Sequence, residues 1–240
     1  MTSKTNARIA GFTFLFYIVV GISSMVLFGK AMSGEGITAK LANIAAHATE
    51  MRIAIVLTLL TSFSALVLGV TLYGITRDED HELAMLAMAC RVCEGVLGAI
   101  SLRTTLGLLW LATEGTGTAT AGVADANALG AFLLMPGQSA LISATFFVVG
   151  STLFSYLMVR GRMVPVSLAW LGVLASGLLV VGVPLQLVGV FGGLMGGLMW
   201  LPMLVFEVTL AVWLLVKGVN DDRSFNRSQK RTLDGAVTAS

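Results

Sequence analysis

Between Met163 and Phe206 the chain carries no charged side chain. An uninterrupted apolar stretch of that length exceeds one crossing of a bilayer, which takes about 20 residues. It has to hold a spanning segment, a turn and most of a second. Further runs without charge occur at 9–29, 53–75 and 138–159. A fourth run, at about 83–113, is interrupted by Arg91, Glu94 and Arg103. Backbone groups in hydrocarbon must be satisfied within the segment, so runs of this kind can only be helices.

Six spans follow: about 9–31, 53–75, 83–113, 138–159, 164–188 and 195–217. The 240 residues are 56% hydrophobic and 12% charged, with mean hydropathy +0.89. A soluble domain carries about 25% charged residues, so the composition excludes one. The expected fold class is an all-α, polytopic membrane bundle, with residues 1–217 as one domain and 218–240 as a polar, disordered tail. A net charge of +2 gives no reason to expect nucleic acid. The expected partner is the bilayer, with a small-molecule or lipid ligand, a second copy or another membrane protein in addition.

The first run follows Lys4 and Arg8 and resembles a secretory leader. It is too long for the apolar part of one, and Lys30-Ala31-Met32-Ser33 is a poor cleavage site, so it reads as a retained span. In the long uncharged stretch the turn is placed in the glycine run 189–197 rather than at Pro184, because glycine tolerates hairpin dihedrals. The Gly189/Gly193 and Gly193/Gly197 spacings suit a close helix contact as an alternative, with Pro202 then kinking the last helix.

Lys/Arg placement sets the expected orientation. One side receives Lys4, Arg8, Arg77, Arg160, Arg162, Lys217 and the basic tail, whereas the other receives Lys30, Lys40 and Arg52. Both termini are therefore expected in the cytoplasm, in an inner membrane. Within 37–51, Ile37, Leu41, Ile44, Ala48 and Met51 recur at helical spacing opposite Lys40, Asn43, His47 and Glu50. That pattern predicts an amphipathic helix at the outer interface between spans one and two. A shorter helix is expected at 126–135, stopped by Pro136.

Charges inside a span cost about 2.5–3.5 kcal/mol at mid-helix and so face the bundle interior. Arg91 and Glu94 share a face at a separation of three. Glu94 lies about 11 residues into span three and Glu207 about 10 residues before Lys217, roughly 15–16 Å from the same surface at 1.5 Å per residue. Depth alone predicts an Arg91–Glu207 contact completed by Glu94, if spans three and six are neighbours. Arg103 is out of phase with Glu94, with backbone carbonyls, polar side chains, or Glu50 and His47 as expected partners. Tyr17, Tyr73 and Ser64 are candidate interior hydroxyls. The candidate polar-core residues are thus Arg91, Glu94, Glu207 and Arg103, with His47, Glu50, Arg52 and Tyr73 as secondary candidates.

Cys90 and Cys93 form C-x-x-C without the βαβ setting of a redox motif, and with only His47 and His81 beside them a zinc site is not expected. The methionines 195, 199 and 203 read as packing. No catalytic residue, metal or cofactor is expected. The spans offer no histidine for a Ser–His pair and no paired aspartates.

The chain resembles a group of bacterial six-helix integral membrane proteins forming a domain-of-unknown-function family. The resemblance rests on short pieces in order along most of the chain. They are Arg8-Ile9-Ala10-Gly11, Asn43-Ile44 with His47 and Arg52, Leu72-Tyr73, and Arg91-x-x-Glu94. Then come Tyr156-Leu157 with Arg160 and Pro165, Trp170-Leu171-Gly172, and Glu207 followed by Trp213-Leu214-Leu215-Val216-Lys217-Gly218. It implies fold and localisation and supplies no activity. Among functions, a bundle that binds or transports a small molecule, lipid or ion ranks first. A structural or regulatory membrane partner, in which the charges fix packing alone, ranks second, and a lipid-modifying enzyme last.

Overall fold

The structure, a computed structural model, describes residues 2–115, 123–133, 138–190 and 193–219. The expected tail beyond Val219, the loop 116–122 and Pro136 lie outside the described residues. Every regular element among the described residues is helical. Six helices are long and apolar enough to cross a membrane. They are α1 (Ser3–Ala31), α3 (Ala48–Thr76), α4 (His81–Trp110), α6 (Gln138–Gly161), α7 (Val166–Leu187) and α9 (Leu201–Val216), the last extended by the short α8 (Gly193–Leu198). Two further helices, α2 (Gly36–Ala46) and α5 (Val123–Leu133), lie in the connections.

Thr2 caps α1 by accepting from the Thr5 amide, and Asp80 caps α4 by accepting from the Leu83 amide, so two helix starts have their orphan donors answered. Leu111–Gly115 continues α4 as a π-helical turn. Span five passes through Pro184 and ends at Leu187. Gly189 then takes φ +80° and Gly193 φ +59°, left-handed positions that only glycine adopts cheaply, and the chain reverses in the glycine run. Pro202 stands in the first turn of α9, where its missing N–H costs nothing, so it starts that helix instead of kinking it.

The spans form a ring in chain order. α1 packs on α3, α3 on α4, α4 on α6, α6 on α7, α7 on α9, and α9 closes against α1. The outward faces are apolar, as at Phe12, Leu174, Val181 and Val216, whereas Arg91, Glu94 and Glu207 are buried at 1%, 6% and 5% exposure. A bundle in water would show the opposite distribution. α1 and α9 cross closely where Gly11 lies against the Ala211 and Leu215 backbone.

At the face where α1 begins and α9 ends, here the terminal face, Arg160 bridges Glu79 at 3.2 Å and Asp80 at 3.1 Å, tying the end of α6 to the α3–α4 turn. At the opposite face a second core joins the ends of the spans to α2: Ala31, Leu41, Ile44, Met51, Leu108, Leu109, Leu111 and Ala112. The apolar stripe of α2 thus covers protein. Asn43, on that helix, donates to the Lys30 carbonyl at 2.9 Å, one of the last carbonyls of α1, which the Ser33 hydroxyl also meets at 2.9 Å.

Candidate functional site

Arg91 leaves α4 at a point where both neighbouring helices present glycine. A Cβ on Gly69 of α3 would lie 3.0 Å from the Arg91 Cβ, and one on Gly150 of α6 would lie 3.5 Å from its Cδ. Small residues bring the backbones close and leave the long side chain one way to go, into the ring. There the guanidinium carbon sits 5.0 Å from the centre of the Phe147 ring and 5.5 Å from that of Tyr17. Aromatic faces attract a desolvated cation.

The ion partner of Arg91 is Glu94, with Nη1 2.8 Å from Oε2. This is charge proximity without hydrogen-bond alignment, since neither atom makes a hydrogen bond of good geometry. The other carboxylate oxygen of Glu94 accepts from the Tyr17 hydroxyl at 2.9 Å, and the Glu94 backbone carbonyl accepts from Ser143 at 2.9 Å. Tyr17 comes from α1 and Ser143 from α6, so Glu94 is held from two helices.

Glu207 is arranged differently from the expectation. The Arg91–Glu207 contact rested on spans three and six being neighbours, and they are not: α4 packs on α3 and α6, α9 on α1 and α7. Glu207 reaches the same interior layer from across the ring. It shares with Arg91, Ser151 and Ser155 the lining of a small void of about 10 Å³. It makes no ion pair within 4 Å among the described residues, and its Oε1 is buried without a hydrogen-bond partner.

Above the cluster, in the half away from the terminal face, lies a cavity of about 440 Å³. Glu94, Glu207 and Tyr17 line it together with Ile18, Ile22, Met25, Phe147, Trp200 and Leu204, so α1, α6 and α9 supply most of its wall. Below the cluster the small void is walled by Phe14, Leu72, Phe154, Met158, Phe206 and Leu210, an apolar layer that closes the terminal side. A second cavity of about 300 Å³, between α1, α3 and α4, shares Gly21, Met25 and Thr61 with the first.

The remaining candidates lie elsewhere. Arg103 is exposed on α4, about two turns before the helix ends at Trp110, a position from which a long side chain reaches a membrane surface. Glu50 pairs with Lys30 at 3.3 Å rather than with Arg103. The His47 ring contacts the Asn43 carbonyl at 3.1 Å, and Arg52 is exposed. Tyr73 meets His81 at 3.3 Å near the terminal face, and Ser64 donates to the Leu60 carbonyl of its own helix. Cys90 and Cys93 are free thiols, the first buried and the second half-buried. Among the described residues no group of three or more His, Cys, Asp or Glu is placed to hold a metal ion.

The family model described as Domain of unknown function (DUF4386) matches residues 9–218. The chain belongs to that family. No curated protein and no solved structure matches it. The match takes in five spans of this DUF4386 protein whole, α1 from Ile9 onward, and every member of the buried cluster.

Sequence reasoning missed Phe147 and Ser143. A signal was present: Ser143, Phe147 and Gly150 recur at i, i+4 and i+7 on α6 and define the face that meets Arg91 and Glu94.

Proposed function

We propose that this DUF4386 protein binds a small amphipathic molecule within the membrane, in the cavity between α1, α6 and α9, as a transport-like bundle. One observation carries the reading. Glu207, 5% exposed and with an unpartnered carboxylate oxygen, lines a cavity of about 440 Å³ whose other walls are mainly apolar. A buried acceptor left unsatisfied costs about 1–3 kcal/mol, more when charged, and packing returns nothing for that cost. A ligand that places its polar group at Glu207 and its apolar body between Ile22, Met25 and Leu204 would offset it. The apolar layer below the cluster supports access from one side at a time. The Lys/Arg distribution supports placing both termini in the cytoplasm of a bacterial inner membrane.

The second reading, in which the charges only fix packing, draws on the Arg91–Glu94 pair and its Tyr17 bond, which neutralise one another without a ligand. Native mass spectrometry of the full chain, extracted with its lipids, separates the two. Gly21 lines the cavity, and a Cβ there would meet only the Thr61 methyl, at 4.0 Å, so Gly21→Leu fills space without disturbing the backbone. A one-to-one small-molecule adduct on the wild type, absent from Gly21→Leu, is the expected result. No adduct on the wild type, together with a more stable Gly21→Leu, would establish the packing reading.

A further inference from the structure

The hydroxyl protons around the cavity are already spoken for. Tyr17 donates to Glu94 Oε1, Ser143 to the Glu94 carbonyl at 2.9 Å, and Thr61 to the Leu57 carbonyl at 3.0 Å. A hydroxyl has one proton, so each of these groups offers a ligand lone pairs only. The adjoining cavity repeats the pattern. Ser101 donates to Gly98 at 2.6 Å, and Ser24 and Thr58 divide their two protons between the Ala54 carbonyl and each other. Among the residues lining these two cavities, the Thr105 hydroxyl in the second and the Trp200 indole in the first remain as side-chain donors, while the Arg91 nitrogens, without hydrogen-bond partners, line the small void beneath. The Trp200 ring, stacked on Phe147 at 6.0 Å, also presents a face that attracts cations.

Charge points the same way. Arg91 stands behind Glu94 and does not line the larger cavity, whereas Glu94 and Glu207 do. With both carboxylates ionised, two negative charges face one guanidinium, and the one left over, in a water-poor interior where a charge without a partner is most costly, is what a bound cation would answer. An anion would meet no free donor among these hydroxyls, and a neutral group would leave that charge unanswered. A cavity of about 440 Å³ with Ile18, Ile22, Met25 and Leu204 in its wall is far larger than a bare metal ion requires and is shaped for hydrocarbon.

We infer that the ligand of this cavity is an organic cation, an ammonium group on an apolar body, with its N–H donors on Glu207, Thr61 and Ser143. The inference rests on the cavity being a binding site and goes further by fixing the ligand's charge.

The test is isothermal titration of the full chain in nanodiscs, with empty nanodiscs as the blank, against octylammonium, octanol and octanoate, probes matched in chain and differing in head group. Saturable binding of octylammonium alone, weakened at least about tenfold by Glu207→Gln, is expected, since an opposite charge within contact distance of a carboxylate is worth at least that much inside a protein. If Glu207→Gln does not fold, Ala140→Lys, at an exposed position of the cavity wall, supplies the same test by repulsion. Equal binding of all three probes, or octanoate binding best, overturns the cation inference and leaves the cavity reading standing. Binding of none, in wild type and Gly21→Leu alike, overturns both.

Discussion

Tyr17 on α1 donates its hydroxyl to Glu94 on α4 at 2.9 Å, although these two helices are not adjacent in the ring: α3 lies between them. The bond therefore spans the interior and fixes the carboxylate whose other oxygen faces Arg91. Removing it in Tyr17→Phe leaves the ring packed and the acceptor empty. A hydrogen bond to a charged group contributes about 1.5–3 kcal/mol. Tyr17→Phe is expected to lower stability by that amount in detergent-denaturation measurements, and an unchanged midpoint would show that Glu94 is satisfied without it.

Arg91 offers a sharper case. Removing one partner of a buried ion pair costs about 3–5 kcal/mol, because the other charge is left alone. Arg91→Met leaves Glu94 and Glu207 facing each other's layer with no cation, so it should be among the most damaging substitutions in the protein. Arg91→Met combined with Glu94→Gln should recover part of that loss. Thermal unfolding of the single and double variants measures the coupling. Additive losses would contradict the pairing seen at 2.8 Å.

Much of this architecture was legible in the chain because hydrocarbon leaves few options. Stretches without charge announced the spans, and Arg91, Glu94 and Glu207 stood out as charges that only an interior could hold. The pairing was less legible. Depth along a helix follows from counting residues, so Glu94 and Glu207 were correctly set in one layer. The azimuth of each helix and its neighbours are set by packing contacts distant in sequence, and the ring places α4 and α9 across from each other. Phe147 and Ser143 were hidden for a related reason: on a helix with apolar residues and hydroxyls on several faces, one phenylalanine looks like any other until Gly150 marks the face that must meet α4. Arg103 read as interior from its place within a span, yet near the end of a long helix an exposed arginine extends to the surface.

The Arg160 bridge to Glu79 and Asp80 is visible and yet should matter little. The Arg160 side chain is 47% exposed although Glu79 is 6% and Asp80 27% exposed, so the cation end stands in solvent, where pairs contribute about 0–1 kcal/mol and are screened further by salt. Arg160→Ala is expected to leave stability within that range. A larger loss, persisting in high salt, would show that the bridge is shielded from solvent.

Gly11 marks the closest approach of α1 and α9, on the terminal side of the cavity. A Cβ there would lie 2.7 Å from the Ala211 carbonyl oxygen and 2.8 Å from the Leu215 amide, both backbone atoms that cannot turn aside. This crossing pins α1 to α9 on the terminal side, and in the other half Ile22 and Leu204 line the opening between them. Gly11→Ala forces the helices apart at the pin, and overpacking of this kind costs about 1–3 kcal/mol. The loss should appear in thermal unfolding together with a changed distance between spin labels at Ile22 and Leu204, since two stiff helices displaced at one contact move along their whole length. A stability loss with no change between the labels would mean that α6, not the Gly11 crossing, sets the width of the cavity.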